Sequence, residues 1–241
     1  MSRAAAKSLT ASRSRALQGR VRVPGETTVV EPVATGDHTE RMLRHFGATV
    51  TSVMRDGAAH ITVTGHAELN GRAVTVPADP SSAAFIVAAA VLVPGSEVTA
   101  EGVLVNPTRT GLYVTLQAMG ADIAFLNERK QGGEPVADIR VRHGRLKGVR
   151  VPPERAASMI DDYPILAVIA AFADGETRME GLAELKSKGS DRLAASAVGL
   201  AANGIAHAVE GEALTVIGAT SVRGDGIPDP RPRQRPPRHR G

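Results

Sequence analysis

The chain has 241 residues, enough to bury a core for one or two domains. Its 42% apolar content is mostly Ala, Val, Leu and Ile with only 2% aromatics, which argues against a base-stacking nucleic-acid platform, and no apolar run approaches the roughly 18 residues that span a bilayer. It has no cysteine, which excludes disulfides, thiolate nucleophiles and Cys-ligated metal sites, and its formal charge of +4 belongs to its ends: residues 1–22 carry six basic side chains and no acid, residues 223–241 six Arg and two Asp, together about +10 against about −6 for the body.

Residues 1–15, rich in Ser, Ala and Arg, read as a disordered basic tail rather than an organellar transit peptide. Leu17 to Pro24 is the first of three copies of one strand pattern; the others are Leu69 to Pro77 and Leu146 to Pro152. After the second and third copies, about 20 residues of apolar helix lead to Gly95 and Gly175, each opening the next strand. After the first copy, Pro24 meets Gly25 with no helix between them, so a piece of an established fold is missing.

Short Val/Ile/Thr-rich strands follow at Thr27 to Glu31, His60 to Thr64, Val98 to Glu101, Asp138 to Val141, Arg178 to Gly181 and Ala213 to Ile217. Apolar helices are expected over Ala83 to Val93 and Ile165 to Ala173. Amphipathic helices begin at the polar turns Asp37-His38-Thr39-Glu40, Thr108-Arg109-Thr110 and Ser190-Asp191-Arg192 and end at Gly47, Gly120 and Gly204, which suit N-caps and C′ positions. The fold class is α/β (α+β), and residues 16–228 form a partial domain of repeated units, the first a stub and two nearly full. Residues 229–241 form an Arg/Pro-rich disordered tail whose abrupt change of composition fits a shifted reading frame better than an RNA-binding arm.

Two places carry candidate chemistry. Asp161, just before the helix Ile165 to Ala173, is either an N-cap or a carboxylate at a helix mouth that binds a hydroxyl and moves its proton. Asp79 stands at the matching place in the preceding unit and favours the capping reading for the position. Lys186, Lys188 and Arg192 flank a helix N-terminus, where backbone donors also favour a phosphate or carboxylate. Asn106-Pro107-Thr108-Arg109-Thr110 is a weaker candidate of the same kind, and the His residues show no metal-ligand spacing.

Five motifs then stand in a telling order: Glu31-Pro32 with Asp37-His38-Thr39-Glu40-Arg41-Met42-Leu43, Asp79-Pro80-Ser81-Ser82-Ala83-Ala84-Phe85, Asn106-Pro107-Thr108-Arg109-Thr110-Gly111, Ile160-Asp161-Asp162-Tyr163-Pro164 and Lys188-Gly189-Ser190-Asp191-Arg192. Their order and spacing resemble the 5-enolpyruvylshikimate-3-phosphate synthase family over about residues 15–228, and its bacterial glyphosate-insensitive class most closely. The resemblance implies a cytoplasmic transferase of the shikimate pathway for aromatic amino acid biosynthesis. It would need no metal or cofactor, and would move the enolpyruvyl group of phosphoenolpyruvate to the 5-hydroxyl of shikimate 3-phosphate. The implied fold is the enolpyruvyl transferase inside-out barrel, two domains of repeated βαβαββ units that close over both substrates. The implied site residues are Asp161, contacting shikimate phosphate hydroxyls and taking part in proton transfer; Lys188, contacting substrate; and Arg192, gripping phosphoenolpyruvate.

The departures from that family are large. Gly25 is followed by Glu26-Thr27-Thr28 where the family has Asp-Lys-Ser, and essentially the whole of the other domain is absent, leaving one domain retained and incomplete. Gly189 replaces a Glu of proposed proton-transfer function, and the Arg/Pro tail replaces a further phosphate-gripping Arg. The chain alone is therefore expected to be inactive or strongly impaired. A non-catalytic remnant that binds an anion or a partner is the alternative reading. A relative acting on UDP-N-acetylglucosamine is another, disfavoured by the Lys-x-Ser-Asp-Arg and Asp-Tyr-Pro segments. The strand expected over Arg20 to Val23 lacks its neighbours, so its open edge predicts aggregation or a domain-swapped dimer.

Overall fold

The computed structural model describes residues 14–32, 35–187 and 191–218. Both expected tails and the Lys188-Gly189-Ser190 segment lie largely or wholly outside them.

Residues 14–20 form helix α1. The first sheet has the order β1-β3-β2, built from β1 (Glu26–Glu31), β2 (Val50–Arg55) and β3 (Ala58–Thr64), with α2 (His38–His45) between β1 and β2 in sequence. Next come α3 (Pro80–Leu92), β4 (Glu97–Leu104), α4 (Gly111–Ala118), β5 (Asp122–Gln131) and β6 (Glu134–Arg142), whose strands form a second antiparallel sheet, β4-β6-β5. The third unit contains β7 (Arg150–Val151), a 3-10 turn, α5 (Tyr163–Ala170), β8 (Glu176–Met179), α6 (Ala183–Ser187), α7 (Arg192–Ala202), β9 (His207–Glu210) and β10 (Ala213–Ile217). Its sheet runs β7-β8-β10-β9, with β7 parallel to β8 and the other pairs antiparallel.

All six expected strands are present, and all five expected helices. The strand-pattern repeat behaves differently in its three copies. The third copy forms β7, which precedes α5 and pairs parallel with the strand that follows it. The second forms no strand; a single parallel bridge, Ala78 to Val103, follows it just before α3. The first is not a strand at all: residues 14–20 are helical and 21–25 turn. Its place as a sheet neighbour is not available, because the turn lies across the end of β3, where the Gly65 and Ala67 N–H groups donate to the Gly25 and Val21 carbonyls at 2.8 and 3.2 Å. A Cβ on Gly65 would collide with the Val23 carbonyl, so only glycine allows this crossing. The open edge expected at Arg20 to Val23 is therefore replaced by a helix and a turn.

Three strands that patterning did not single out, β2, β5 and β9, are the outer strands of their sheets. Little of each is buried, so alternation is weak: five of the six residues of β2 and three of the four of β9 are exposed, whereas β1 and β4, also outer, alternate between exposed and half-buried positions. In the second sheet, irregularities between Ala100 and Val103 and between Leu126 and Arg129 flank one central residue, Asp138. Its carboxylate accepts from the Gly102 N–H and the Asn127 amide at 2.8 Å each, and from Arg129 at 3.1 Å, satisfying donors that the interrupted ladders release. Those hydrogen bonds also hold its pKa below the usual carboxylate value.

The described residues hold two separate apolar clusters. The larger joins both later units, with α3 and α5 packed against each other and Tyr113, Leu116, Ile139, Leu166 and Met179 at most 1% exposed. The smaller contains Leu17, Val21, Leu43, Ala48, Val50, Ile61 and Val63, under the first sheet. The two meet at a polar joint. Asn106, fully buried at 0% exposure, donates to Asp37 at 2.7 Å and Glu134 at 3.0 Å. Asp37 accepts from Arg41 at 2.8 Å, and Glu134 contacts His38 at 2.7 Å. Asp37, expected as a cap of α2, makes no side-chain cap bond because its carboxylate serves this joint instead.

Candidate functional site

The N-terminal ends of α3, α4, α5 and α7 are tied together by side chains, and the sequence explains each tie. Asp79 caps α3, accepting from the Ser82 N–H and hydroxyl at 2.8 Å each. Arg109, two residues before α4, donates through one nitrogen to Asp79 and to the Ser81 hydroxyl, both at 3.2 Å. The loop that presents Arg109 is set by Asn106, whose side-chain oxygen accepts from the Thr108 N–H at 2.9 Å and hydroxyl at 2.8 Å. Tyr113, 1% exposed, donates to the Pro80 carbonyl at 2.7 Å, and burial pushes its phenol pKa well up. Thr110, expected to cap α4, makes no side-chain cap bond.

At the start of α5, the cap position belongs to Asp162, and Asp161 stands one residue outside the helix. The reading of Asp161 as a simple N-cap is thus not what the fold gives. Asp161 instead accepts a 2.9 Å bond from Arg192, the first residue of α7, with both side chains partly open to solvent at 45% and 42% exposure. Arg192 is aimed there by Asp191, which caps α7 by accepting from the Ala194 N–H at 2.9 Å. Two helix starts are therefore joined through one carboxylate and one guanidinium.

Asp162 is the buried member of the group, 4% exposed. Burial raises its pKa to about 6; a hydrogen bond with Ser81 and the charge of Arg109 act against that, while Asp161 and Asp79 add to it. Burial also pushes Asp79 up, but the bonds from Ser82 and the charge of Arg109 outweigh it and leave its pKa below the usual value. The same balance applies to Asp37, where Arg41 and Asn106 prevail over burial.

Of the residues singled out from sequence, the fold brings Asp161 and Arg192 into contact. Lys188 lies outside the described residues. Lys186 does not join them: its ammonium donates to the Gly211 carbonyl at 2.6 Å. Sequence reasoning passed over Asp162 and Ser81, and gave Arg109 only as part of a weaker motif. The signal for Asp162 was the Asp-Asp pair itself, since two adjacent carboxylates before a helix cannot both occupy the cap. Among the described residues, no three or more His, Asp and Glu side chains gather in a way that could hold a metal ion. No helix of the described residues is long and apolar enough to cross a membrane.

Chemically, the group is nearly balanced: two guanidiniums face three carboxylates, one of which is easily protonated. Helix dipoles add positive potential at the same end. An incoming phosphate or carboxylate would compete with Asp161 for Arg192.

Residues 11–227 match the family model described as EPSP synthase (3-phosphoshikimate 1-carboxyvinyltransferase). The chain is 60% identical over 221 residues to a 3-phosphoshikimate 1-carboxyvinyltransferase from Methylobacterium sp. (strain 4-46), covering 90% of this chain and 48% of the relative. A protein of the same name from Pseudomonas sp. (strain PG2982) is 58% identical over 216 residues, covering 89% and 48%. Among solved structures, EPSP synthase from Acinetobacter baumannii superposes with a TM-score of 0.79 at 41% identity, covering 84% of this chain and 45% of that one. The enolpyruvyl transferase NikO from Streptomyces tendae, at 21% identity and a TM-score of 0.59, shares the fold. The chain spans about half the length of the curated relatives it matches.

Proposed function

The chain belongs to the EPSP synthase family, and on that premise we propose that it carries one side of an enolpyruvyl transferase site, for phosphoenolpyruvate and shikimate 3-phosphate, and does not turn over alone. The observation that supports this reading best is the Asp161–Arg192 pair, which joins the mouths of α5 and α7 at 2.9 Å. In the reaction a new C–O bond forms between the 5-hydroxyl and the enolpyruvyl carbon, the C–O bond to phosphate breaks, and the hydroxyl proton is released. Arg192 is suited to hold an anionic group of phosphoenolpyruvate, and Asp161, once relieved of Arg192, to take the hydroxyl proton. Lys188 is assigned a substrate contact by the family motif alone, and the biosynthetic role carries with it a cytoplasmic location.

Turnover alone is not expected because the cationic contacts on the other side of such a cleft are not in this sequence: Gly25 is followed by Glu26-Thr27-Thr28. Gly189 likewise offers no proton-transfer group. Positioning and electrostatic stabilisation each supply several kcal/mol in reactions of this type, so losing most of them costs many orders of magnitude in rate.

The test is phosphate release by the purified chain given both substrates, together with calorimetric binding of shikimate 3-phosphate. No release, with weak saturable binding of shikimate 3-phosphate that Asp161→Ala weakens about tenfold, is expected. Release that Asp161→Asn abolishes would show that one side of the site suffices, contrary to the proposal. No binding, with the fold intact, would remove the substrate assignment.

A further inference from the structure

Helices α3 and α5 are the same element of successive repeats, and each leaves the opposite apolar stripe uncovered. Setting Gly95 against Gly175 matches Phe85, Ile86 and Ala89 with Ile165, Leu166 and Ile169, and matches Ala84 and Ala88 with Pro164 and Val168. On α3 the first set is exposed, Phe85 at 65% and Ile86 at 53%, whereas Ala84 and Ala88 are buried at 0% and 3%. On α5 the pattern inverts at three of the five positions: Leu166 and Ile169 are at 0% and Val168 is at 46%, while Pro164 and Ile165 are both half-buried. The two helices pack on each other. Each therefore keeps open the face whose counterpart is buried on its neighbour, and one chain displays both halves of a contact it already makes internally.

The open face of α5 is shaped to receive something. With α7 it forms a groove of about 550 Å³, with Ala167, Ala171, Ala195 and Gly199 among its small lining residues and Phe172 and Leu200 among the large ones. Small residues in a groove between helices leave room for the large side chains of an approaching ridge, and Phe85 and Ile86 are large side chains on such a ridge. Charge does not oppose the fit: α3 carries no ionisable residue from Pro80 to Leu92, and Arg192 is the one charged residue lining the groove.

We infer that the α5/α7 groove takes the Phe85/Ile86 stripe of a second copy of this chain, repeating between molecules the α3–α5 contact made within one. The surface joining is thus a helix face, not the sheet edge expected from the sequence. The interface uses a different patch on each partner, so it is heterologous and propagates until a ring closes. It holds whether or not the chain is catalytic.

Sedimentation velocity from about 1 to 100 µM reads the association, which should grow with concentration. Ile86→Lys disables the stripe and Val168→Lys the groove; both sites are already 53% and 46% exposed, so the fold tolerates them, as circular dichroism will verify. Each variant alone should stay monomeric, with association weakened at least about tenfold by the charge placed in an apolar contact. Mixed one to one, the Ile86→Lys copy still offers a groove and the Val168→Lys copy a stripe, so a 1:1 dimer that grows no further should form. A wild-type chain monomeric throughout, variants that still associate, or a mixture that stays monomeric would each overturn the inference.

Discussion

Replacing Asn106 with Ala is expected to cost about 3–4 kcal/mol and to release the first sheet before the rest of the molecule. The side chain is fully buried and uses every part of its amide: the oxygen accepts twice from Thr108, and the nitrogen donates to Asp37 and Glu134. Truncation leaves two carboxylates without a shared donor and a backbone N–H without its acceptor, and groups stripped of partners in a low-dielectric joint cost more than an average hydrogen bond returns. The effect should be uneven because the seven-residue cluster under the first sheet is too small to hold three strands and two helices alone. Hydrogen exchange should show the Ile61 and Val63 amides losing protection while those of Ile139 and Val141 keep theirs. Equal loss in both would mean that the two clusters unfold as one. Asn106→Asp separates charge from shape: it keeps the oxygen for Thr108 but sets a third carboxylate against Asp37 and Glu134, so its deficit should be largest at neutral pH and shrink on acidification.

That joint also marks the limit of what the sequence discloses. The five helices and six of the strands were legible because their apolar spacing reports their own burial: Leu112 and Leu116 on α4, or Ala137, Ile139 and Val141 on β6, each need only one apolar face. The outer strands β2, β5 and β9 were not, since few of their own side chains are buried, unlike the outer strands β1 and β4, whose positions alternate in burial. The repeat pattern led in the wrong direction at Arg20 to Val23 for a related reason. A strand needs a partner at its place in the sheet, and there the chain turns across the end of β3 instead. Asp161 and Arg192 were singled out by motif and helix-mouth logic, and the fold brings them into contact. Asp162, Ser81 and Arg109 were largely missed, because which carboxylate of an Asp-Asp pair is buried depends on where α3 and α4 begin, and those helices are remote in sequence.

Asp162→Asn should make the protein more stable at pH 8 and leave it nearly unchanged at pH 4. In the folded chain burial raises this carboxyl to about 6 from 3.8, so the native state holds the proton more tightly than the unfolded chain does. Stability from this group is therefore greatest at low pH, falls as pH rises from about 4 to 6, and stays reduced above that; a shift of about two units corresponds to about 3 kcal/mol. Asn cannot ionise, so the gap between variant and parent should open across that window and reach about 5–10 °C in Tm at pH 8. Asp37 and Asp79 do not obscure the result. Both are held below 3.8, so the stability they contribute is lost as pH falls below about 4, with the opposite slope and outside the window. A gap that does not vary with pH would mean that Asp162 is ionised throughout and that Arg109 and Ser81 compensate its burial in full. A gap that opens as expected would mean that the chain keeps a destabilising charge beside Asp161, at a position whose side chain makes no cap bond to α5.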